Sequence, residues 1–171
     1  MIIHETERLL LETWELDDFD AFADIARNPD VMRYIAEGVP WSDSRIGWFM
    51  GLQKGFQTGL GYCNWKLTHR DSDELMGFCG LSPLQAVEAT EISWWLKPEF
   101  WGRGYAREAA EHVLNAAFDK HALEKVVARA YSTNKRSVAL IKKLGMKQDR
   151  ILKSNDIGDV LLFSTHPDLA S

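Results

Sequence analysis

The sequence predicts a single α/β domain organised around a mixed β-sheet. The chain has 171 residues, which is the length of one domain and enough to bury a core. Strand-like and helix-like segments alternate along it, and no internal repeat, low-complexity tract or linker separates them. We therefore expect one domain over residues 1–171, with its core between about residues 6 and 166.

The first half of the chain predicts a strand, two helices and a meander of three strands. Apolar residues bounded by polar ones form the first strand, and Asp17 and Asp18 are N-cap residues for the first helix, which Asn28 and Pro29 end. The second helix starts near Ser42, and turn residues at positions 70–73 separate the first two meander strands. The predicted elements are a strand at 8–14, helices at 17–28 and 42–58, and strands at 62–69, 75–81 and 90–97.

The second half predicts two helices alternating with strands. Alanine and larger apolar residues recur at helical spacing after Gly104, and Gly145 stops the last helix. Asp156 and Gly158 provide the turn of a closing hairpin. The predicted elements are a helix at 102–121, a strand at 124–131, a helix at 137–144, and hairpin strands at 146–154 and 160–164.

Composition excludes several classes of function. The net charge is −5 and the sequence pI about 5.5, so a general affinity for nucleic acid or for an anionic membrane is not expected. Cys63 and Cys79 form neither a CxxC motif nor a zinc spacing, so we expect no metal site and two reduced core thiols. The charged N-terminal residues and the lack of a long apolar run favour a cytoplasmic protein.

The segment between the predicted strand at 90–97 and the next helix has the features of a phosphate-binding turn. Gly102 and Gly104 stand where a capping side chain is usual, and Arg103 and Arg107 add positive charge where acidic residues are usual. Glycines also remove the Cβ atoms that would keep a phosphate away from the backbone. A plain turn that needs glycine for positive φ is the alternative. The segment matches neither a P-loop nor a dinucleotide motif.

Four segments, in this order, resemble the GCN5-related N-acetyltransferases, and among them the RimJ/RimL-type branch that acetylates ribosomal-protein N-termini. The segments are TERLLL at 6–11 followed by DDF at 17–19, VMRYI at 31–35, EISWWLKPEFWGRGYA at 91–106, and NKRS at 134–137 ending in KLGM at 143–146. The resemblance covers residues 6–163. It implies an acyl-CoA N-acyltransferase fold, with a mostly antiparallel central sheet whose strands splay apart, flanked by helices.

The resemblance also implies a binding mode for acetyl-CoA without a metal. The pyrophosphate would sit on the turn N–H groups of Gly102, Arg103, Gly104, Tyr105 and Ala106. The pantetheine arm would lie between the splayed strands, along Trp94, Trp95 and Leu96, and Asn134 and Ser137 match the cofactor contacts of the following loop and helix. For Asn134 a helix N-cap is the alternative. This sequence departs from the family pattern at Trp101 and at Ile141, which stands where many relatives carry a tyrosine general acid.

Acetyl transfer needs a group that takes the proton of the amine. We expect Glu91 to do this, directly or through a water molecule, because an acidic residue of this strand often has that role in the family. A salt-bridged, non-catalytic Glu91 is the alternative. A backbone N–H near Trp95 or Leu96 would polarise the thioester carbonyl, and attack would be direct, in a ternary complex.

The acceptor is expected to bind between the first helices and the loop at 34–41. Tyr34 and Trp41, with Trp48, are candidates to line its pocket, although each of them is equally compatible with core packing. The acceptor is either a protein N-terminal amine or a small amine such as an antibiotic, a polyamine or an amino acid, and a non-catalytic acyl-CoA-binding module is the alternative from another class. The chain is expected to be a monomer or a homodimer, the dimer if Phe100 and Trp101 form an exposed patch.

Overall fold

The computed structural model describes residues 1–167 and contains one eight-stranded sheet with helices on both faces. The strands are β1 (Ile2–Glu5), β2 (Leu9–Glu12), β3 (Asn64–His69), β4 (Leu75–Leu84), β5 (Ala89–Leu96), β6 (Val126–Tyr131), β7 (Lys147–Asn155) and β8 (Gly158–Thr165). The α-helices are α1 (Phe19–Arg27), α2 (Pro29–Met32), α3 (Asp43–Leu60), α4 (Tyr105–Asp119) and α5 (Lys135–Lys143). No helix within residues 1–167 has the length and apolar character needed to cross a membrane.

The sheet is antiparallel except at one seam in its centre. Its strand order is β1-β2-β3-β4-β5-β6-β8-β7, and only β5 and β6 run parallel. Their pairing covers two positions, Thr90 with Val126 and Glu91 with Val127. Beyond these positions β5 stays paired with β4 as far as Leu96, and β6 stays paired with β8 as far as Tyr131. The two strands therefore diverge and leave a gap in the middle of the sheet.

Side-chain alternation along β5 distributes its residues between two hydrophobic cores. Ile92 and Leu96 belong to the larger core, which contains the alanine-rich face of α4 and Ile141 of α5. Trp95 packs instead against the smaller core, which is formed by α1, α3 and Phe78 of β4. One face of the sheet thus carries α4 and α5, and the other carries α1 and α3.

The predicted elements and their order are confirmed, with two omissions. The first is β1, whose pairing with β2 joins Ile2 to Glu12; four residues without clear alternation are too short a signal to find from the sequence. The second is the short helix α2. The Asn28 side chain caps it by accepting from the Asp30 N–H, and Pro29 occupies its first position, so the residues that end α1 also begin α2.

Acid stability should depend on His4, which is buried at the β1–α4 contact. Its ring packs edge-on against Trp65 and His112, with centroids 4.8 and 5.0 Å away. Burial, reinforced by the charges of His112, Lys120 and His121, lowers the pKa of His4 from 6.5 to about 4. As the pH falls, His4 is therefore protonated in the unfolded chain before it is protonated in the folded one. The free energy of unfolding should be at its maximum above pH 6.5 and should fall by up to about 3 kcal/mol toward pH 4.

Denaturant unfolding at pH 7 and pH 5 measures this dependence. His4→Phe keeps an aromatic ring against Trp65 and should flatten the pH dependence. His166→Gln, at an exposed position, should leave it unchanged. Parallel pH profiles for the native chain and His4→Phe would show that the acid sensitivity arises elsewhere.

Candidate active site

The divergence of β5 and β6 opens a cleft of about 400 Å³ that passes through the sheet. From β5 it is lined by Glu91, Ser93, Trp94 and Trp95, and from β6 by Arg129, Ala130 and Tyr131. The remaining walls come from both faces of the sheet: Tyr34, Ile35, Ala36, Glu37, Phe49, Asn64, Phe78, Ser82, Ile92, Asn134, Ser137, Lys153 and Val160. The cleft therefore brings together Tyr34, Glu91, Trp94, Trp95, Asn134 and Ser137, which the sequence had indicated separately.

An ion pair joins the two strands close to the point where their pairing ends. Arg129 donates from Nε to Oε1 of Glu91 at 2.7 Å and from Nη2 to Oε2 at 2.9 Å. Glu91 is buried (8 % exposed). Hydrogen bonding to Glu91, opposed by burial, raises the pKa of Arg129 above its ordinary value. Sequence reasoning missed Arg129, although an arginine within the otherwise uncharged strand β6 was a signal for it.

The turn before α4 presents a row of unused backbone donors. Gly102 and Gly104 have φ of +72° and +83°, so α4 begins at Tyr105, three residues later than the sequence suggested. The N–H groups of residues 102–106 donate to no acceptor within residues 1–167. A Cβ atom built at Gly102 would have no neighbour within 4 Å. Open space in front of unpaired N–H groups is the arrangement that suits a phosphate.

The first turn of α4 does carry one acidic residue, contrary to expectation. Glu108 accepts hydrogen bonds from the Thr6 hydroxyl at 2.6 Å and from the backbone N–H and Nε of Arg8 at 2.9 and 2.7 Å. Burial by itself would raise the pKa of Glu108, but these hydrogen bonds bring it below its ordinary value. Because Arg8 compensates this carboxylate, the turn keeps its attraction for an outside anion.

Cationic and polar groups of α5 lie beside the turn. The Arg136 guanidinium is 5.0 Å from the ring centroid of Trp101, whose Nε1 donates to the Leu96 carbonyl at 2.8 Å. Asn134 caps α5 by accepting from the Ser137 N–H at 3.3 Å, and both residues line the cleft. Asn134 is therefore the N-cap of α5. Because it also lines the cleft, its position is compatible with a cofactor contact as well.

Several predicted pocket residues lie outside the cleft. Trp41 is buried behind Trp95, with ring centroids 4.8 Å apart, so it supports the wall rather than forming it. Trp48 is 65 % exposed on α3. Phe100 is buried in the larger core and Trp101 packs against it, so these two residues do not form an exposed patch.

The residue that stands where many relatives carry a tyrosine is also buried away from solvent. Ile141 is buried in the larger core with 1 % exposure. Within residues 1–167, no group of three or more His, Cys, Asp or Glu side chains could hold a metal ion.

Comparison with known proteins identifies this arrangement. The family model described as Acetyltransferase (GNAT) domain matches residues 8–147. The chain belongs to the GNAT family of acetyltransferases. A GNAT relative, the uncharacterized N-acetyltransferase YnaD of Bacillus subtilis, is 29 % identical over 148 residues, which cover 86 % of this chain and 84 % of YnaD.

Two solved acetyltransferase structures share the fold at low sequence identity. The RimL ribosomal L7/L12 alpha-N-protein acetyltransferase in complex with coenzyme A is 15 % identical, with a TM-score of 0.83 and coverage of 99 % of both chains. The spermidine N-acetyltransferase of Vibrio cholerae, in complex with CoA and spermine, is 18 % identical, with a TM-score of 0.79 and coverage of 96 % and 99 %. One fold thus serves a protein acceptor and a polyamine, so the fold does not identify the acceptor of this chain.

Substitution at the turn should separate cofactor binding from stability. Gly104→Ala places a Cβ in front of the unpaired N–H groups and should weaken acetyl-CoA binding by about tenfold or more, about 1.4 kcal/mol. Gly61→Ala is a control for backbone strain, because Gly61 has a similar φ of +78° at the end of α3. A Cβ would meet nothing closer than 3.9 Å at Gly61, and would lie in ordinary contact with Nη2 of Arg8, at 3.4 Å, at Gly104.

Isothermal titration calorimetry and thermal unfolding measure the two effects. Both variants should lose similar stability from backbone strain, on the order of 1 kcal/mol. Only Gly104→Ala should lose acetyl-CoA affinity. Equal affinity in both variants would mean that Gly104 serves the turn conformation alone.

Proposed function

We propose that this GNAT enzyme transfers the acetyl group of acetyl-CoA to a primary amine by direct attack in a ternary complex. The observation that carries the proposal is the gap between β5 and β6. It is lined by Trp94, Asn134 and Ser137 on the face that carries α4 and α5, and by Glu91, Arg129 and Tyr131 on the other face. Two substrates can therefore meet in the middle of the sheet from opposite sides.

Acetyl-CoA would enter from the face of the sheet that carries α4 and α5. Its pyrophosphate would bind the N–H groups of residues 102–106, with Arg103 and Arg136 nearby to offset its charge. Its pantetheine arm would lie in the gap along Trp94 to Leu96, near Asn134 and Ser137. This mode rests on the family resemblance together with the unpaired donors of the turn.

The amine would enter from the other face, where Tyr34, Glu91 and Tyr131 line the cleft. Its nitrogen attacks the thioester carbonyl, the C–S bond breaks, and coenzyme A leaves as a thiolate. The amine proton passes to Glu91, directly or through a water molecule. Arg129 is a positioning residue, since it holds both carboxylate oxygens of Glu91. A backbone N–H of Trp95 or Leu96 that faces the gap would stabilise the oxyanion.

The buried cysteines support direct attack over an acyl-enzyme. Cys63 and Cys79 are both buried, and burial raises the pKa of Cys63 to about 12 and that of Cys79 further still. Neither thiol lines the cleft. A reactive cysteine needs an exposed, electropositive environment that lowers its pKa, and these two have the reverse.

We favour a protein or peptide N-terminus of the RimJ/RimL type as the acceptor over a small amine. The negative charges of the carboxylates that line the cleft, Glu91 and Glu37, are offset by ion pairs with Arg129 and Arg45, so the cleft has little net negative charge to hold a polycation such as a polyamine. A thiol-release assay with N-terminal peptides, polyamines and aminoglycosides decides the question. If acetyl-CoA binds but none of the amines in the panel causes release of coenzyme A, a non-catalytic acyl-CoA-binding module would be favoured.

Replacing the proposed base should lower turnover without affecting cofactor binding. Glu91→Gln keeps the size of the side chain and removes the proton acceptor, so kcat at pH 7 should fall by roughly 100-fold to 10,000-fold. The loss should shrink at high pH, where more of the free amine is already deprotonated. Steady-state kinetics from pH 6 to 9 measure this.

The control is Glu5→Gln, which breaks another arginine ion pair, with Arg70, outside the cleft. It should leave kcat unchanged. A raised KM for the amine with normal kcat in Glu91→Gln would make Glu91 a substrate anchor. Unchanged kinetics at every pH would leave it a structural ion-pair partner.

A further inference from the structure

The edge strand β7 carries three basic residues on one face. Its register with β8 pairs Lys147 with Ser164, Arg150 with Leu162, and Lys153 with Val160. Paired residues of antiparallel strands point to the same face, and the three β8 partners lie two residues apart. Lys147, Arg150 and Lys153 therefore share one face and form what we call the basic strip.

Two β-bulges produce this arrangement. The register shifts between Gln148 and Arg150 and again between Ile151 and Lys153. In a regular strand, residues three apart point to opposite faces, so positions 147, 150 and 153 would not share one. Each bulge adds one residue and returns the next basic side chain to the same face. The bulges thus gather the three charges into one row.

The basic strip lies on the acceptor side of the sheet and begins in the cleft. Val160 pairs with Tyr131 on its other side, and Leu162 pairs with Arg129, so the strip shares the face of these two cleft residues. Lys153 itself lines the cleft. Arg150 and Lys147 follow at increasing distance along an exposed strand. The strip therefore leads outward from the proposed site of the amine.

The charges of the strip are only weakly compensated within residues 1–167: Lys153 lies close enough to Glu37 to contribute to the lowered pKa of that carboxyl. None of its three side chains forms an ion pair or a hydrogen bond there. Asp149 lies in the same strand, but it accepts a hydrogen bond from the Ser164 hydroxyl at 2.8 Å and pairs with Lys125 at 3.7 Å. Glu37, across the cleft, pairs with Arg45 at 3.3 Å.

We propose that the basic strip binds acidic side chains of an extended acceptor peptide whose N-terminal amine lies in the cleft. Successive cations are opposite β8 residues two positions apart, which corresponds to roughly 6.6 Å along a strand. Alternate side chains of an extended peptide repeat at the same interval. The preferred acceptor therefore carries Asp or Glu at alternate positions after its N-terminus. This inference rests on the proposed function, because it extends the acceptor site of the same reaction.

Three peptides and two double variants test it. The peptides share a free N-terminus and length, and carry Glu, Gln or Lys at three alternate positions. Lys147→Gln/Arg150→Gln removes two charges of the strip and leaves the cleft intact. Lys142→Gln/Lys143→Gln removes two exposed charges from the end of α5 as a control. Steady-state kinetics give kcat/KM, and fluorescence anisotropy in the presence of coenzyme A measures peptide binding independently of turnover.

For the native chain, kcat/KM should be about tenfold higher with the Glu peptide than with the Gln peptide, and lowest with the Lys peptide. Lys147→Gln/Arg150→Gln should remove most of this preference by raising KM for the Glu peptide, while kcat and the kinetics of the Gln peptide stay unchanged. The control variant should keep the preference for the Glu peptide. Equal binding of all three peptides would overturn the inference, even if the enzyme acetylates them. Binding of the Glu peptide without any acetyl transfer would support the strip and contradict the proposed function. Tighter binding of a single-stranded oligonucleotide, lost in the strip variant, would reassign the strip to nucleic acid.

Discussion

The early end of the parallel ladder between β5 and β6 is the constraint on which the rest of the site depends. After the pairing of Glu91 with Val127, each strand keeps only its outer neighbour, and the sheet contains a gap at its centre. Open strand edges leave backbone groups without partners, and such groups in a protein interior are stable only if something else pairs with them. The Glu91–Arg129 ion pair bridges the strands next to the end of the ladder. In the proposed reaction, the gap is both the route for the cofactor arm and the meeting point of the two substrates.

Charge is distributed to match this geometry. The chain is acidic overall, yet two of its groups of basic residues lie at the turn before α4 and in one row along β7. At the turn, Arg8 compensates the acidic residue of the first helical turn, so that the free N–H groups face outward without a competing anion. Along β7, two bulges bring basic residues into one row. In both places local backbone geometry, rather than net charge, decides where an anion can bind.

The sequence was sufficient for the order of the elements and for the glycine turn before α4, but not for the residues that meet across the cleft. The glycines at 102 and 104 specify the turn through local conformation, and α4 follows from helical periodicity, so both could be predicted from neighbouring residues. The partner of Glu91 could not, because Arg129 is 38 residues away in the chain. The basic strip could not be predicted either, since positions 147, 150 and 153 share a face only because of two bulges that the residue pattern does not predict. Trp41 shows the converse: the sequence is compatible with pocket lining and with core packing, and only the structure shows that Trp41 belongs to the core behind the cleft.

Amide hydrogen exchange with and without acetyl-CoA tests the central claim, that the gap between β5 and β6 receives the cofactor. Acetyl-CoA bound in the gap should slow exchange at residues 102–106 and at 92–96 of β5, while Thr90 and Glu91, already paired with β6, should change little. Strand β7 should also change little, because acetyl-CoA approaches from the opposite face. Protection confined to the acceptor face, or absent from both the turn and β5 at saturating acetyl-CoA, would contradict the account.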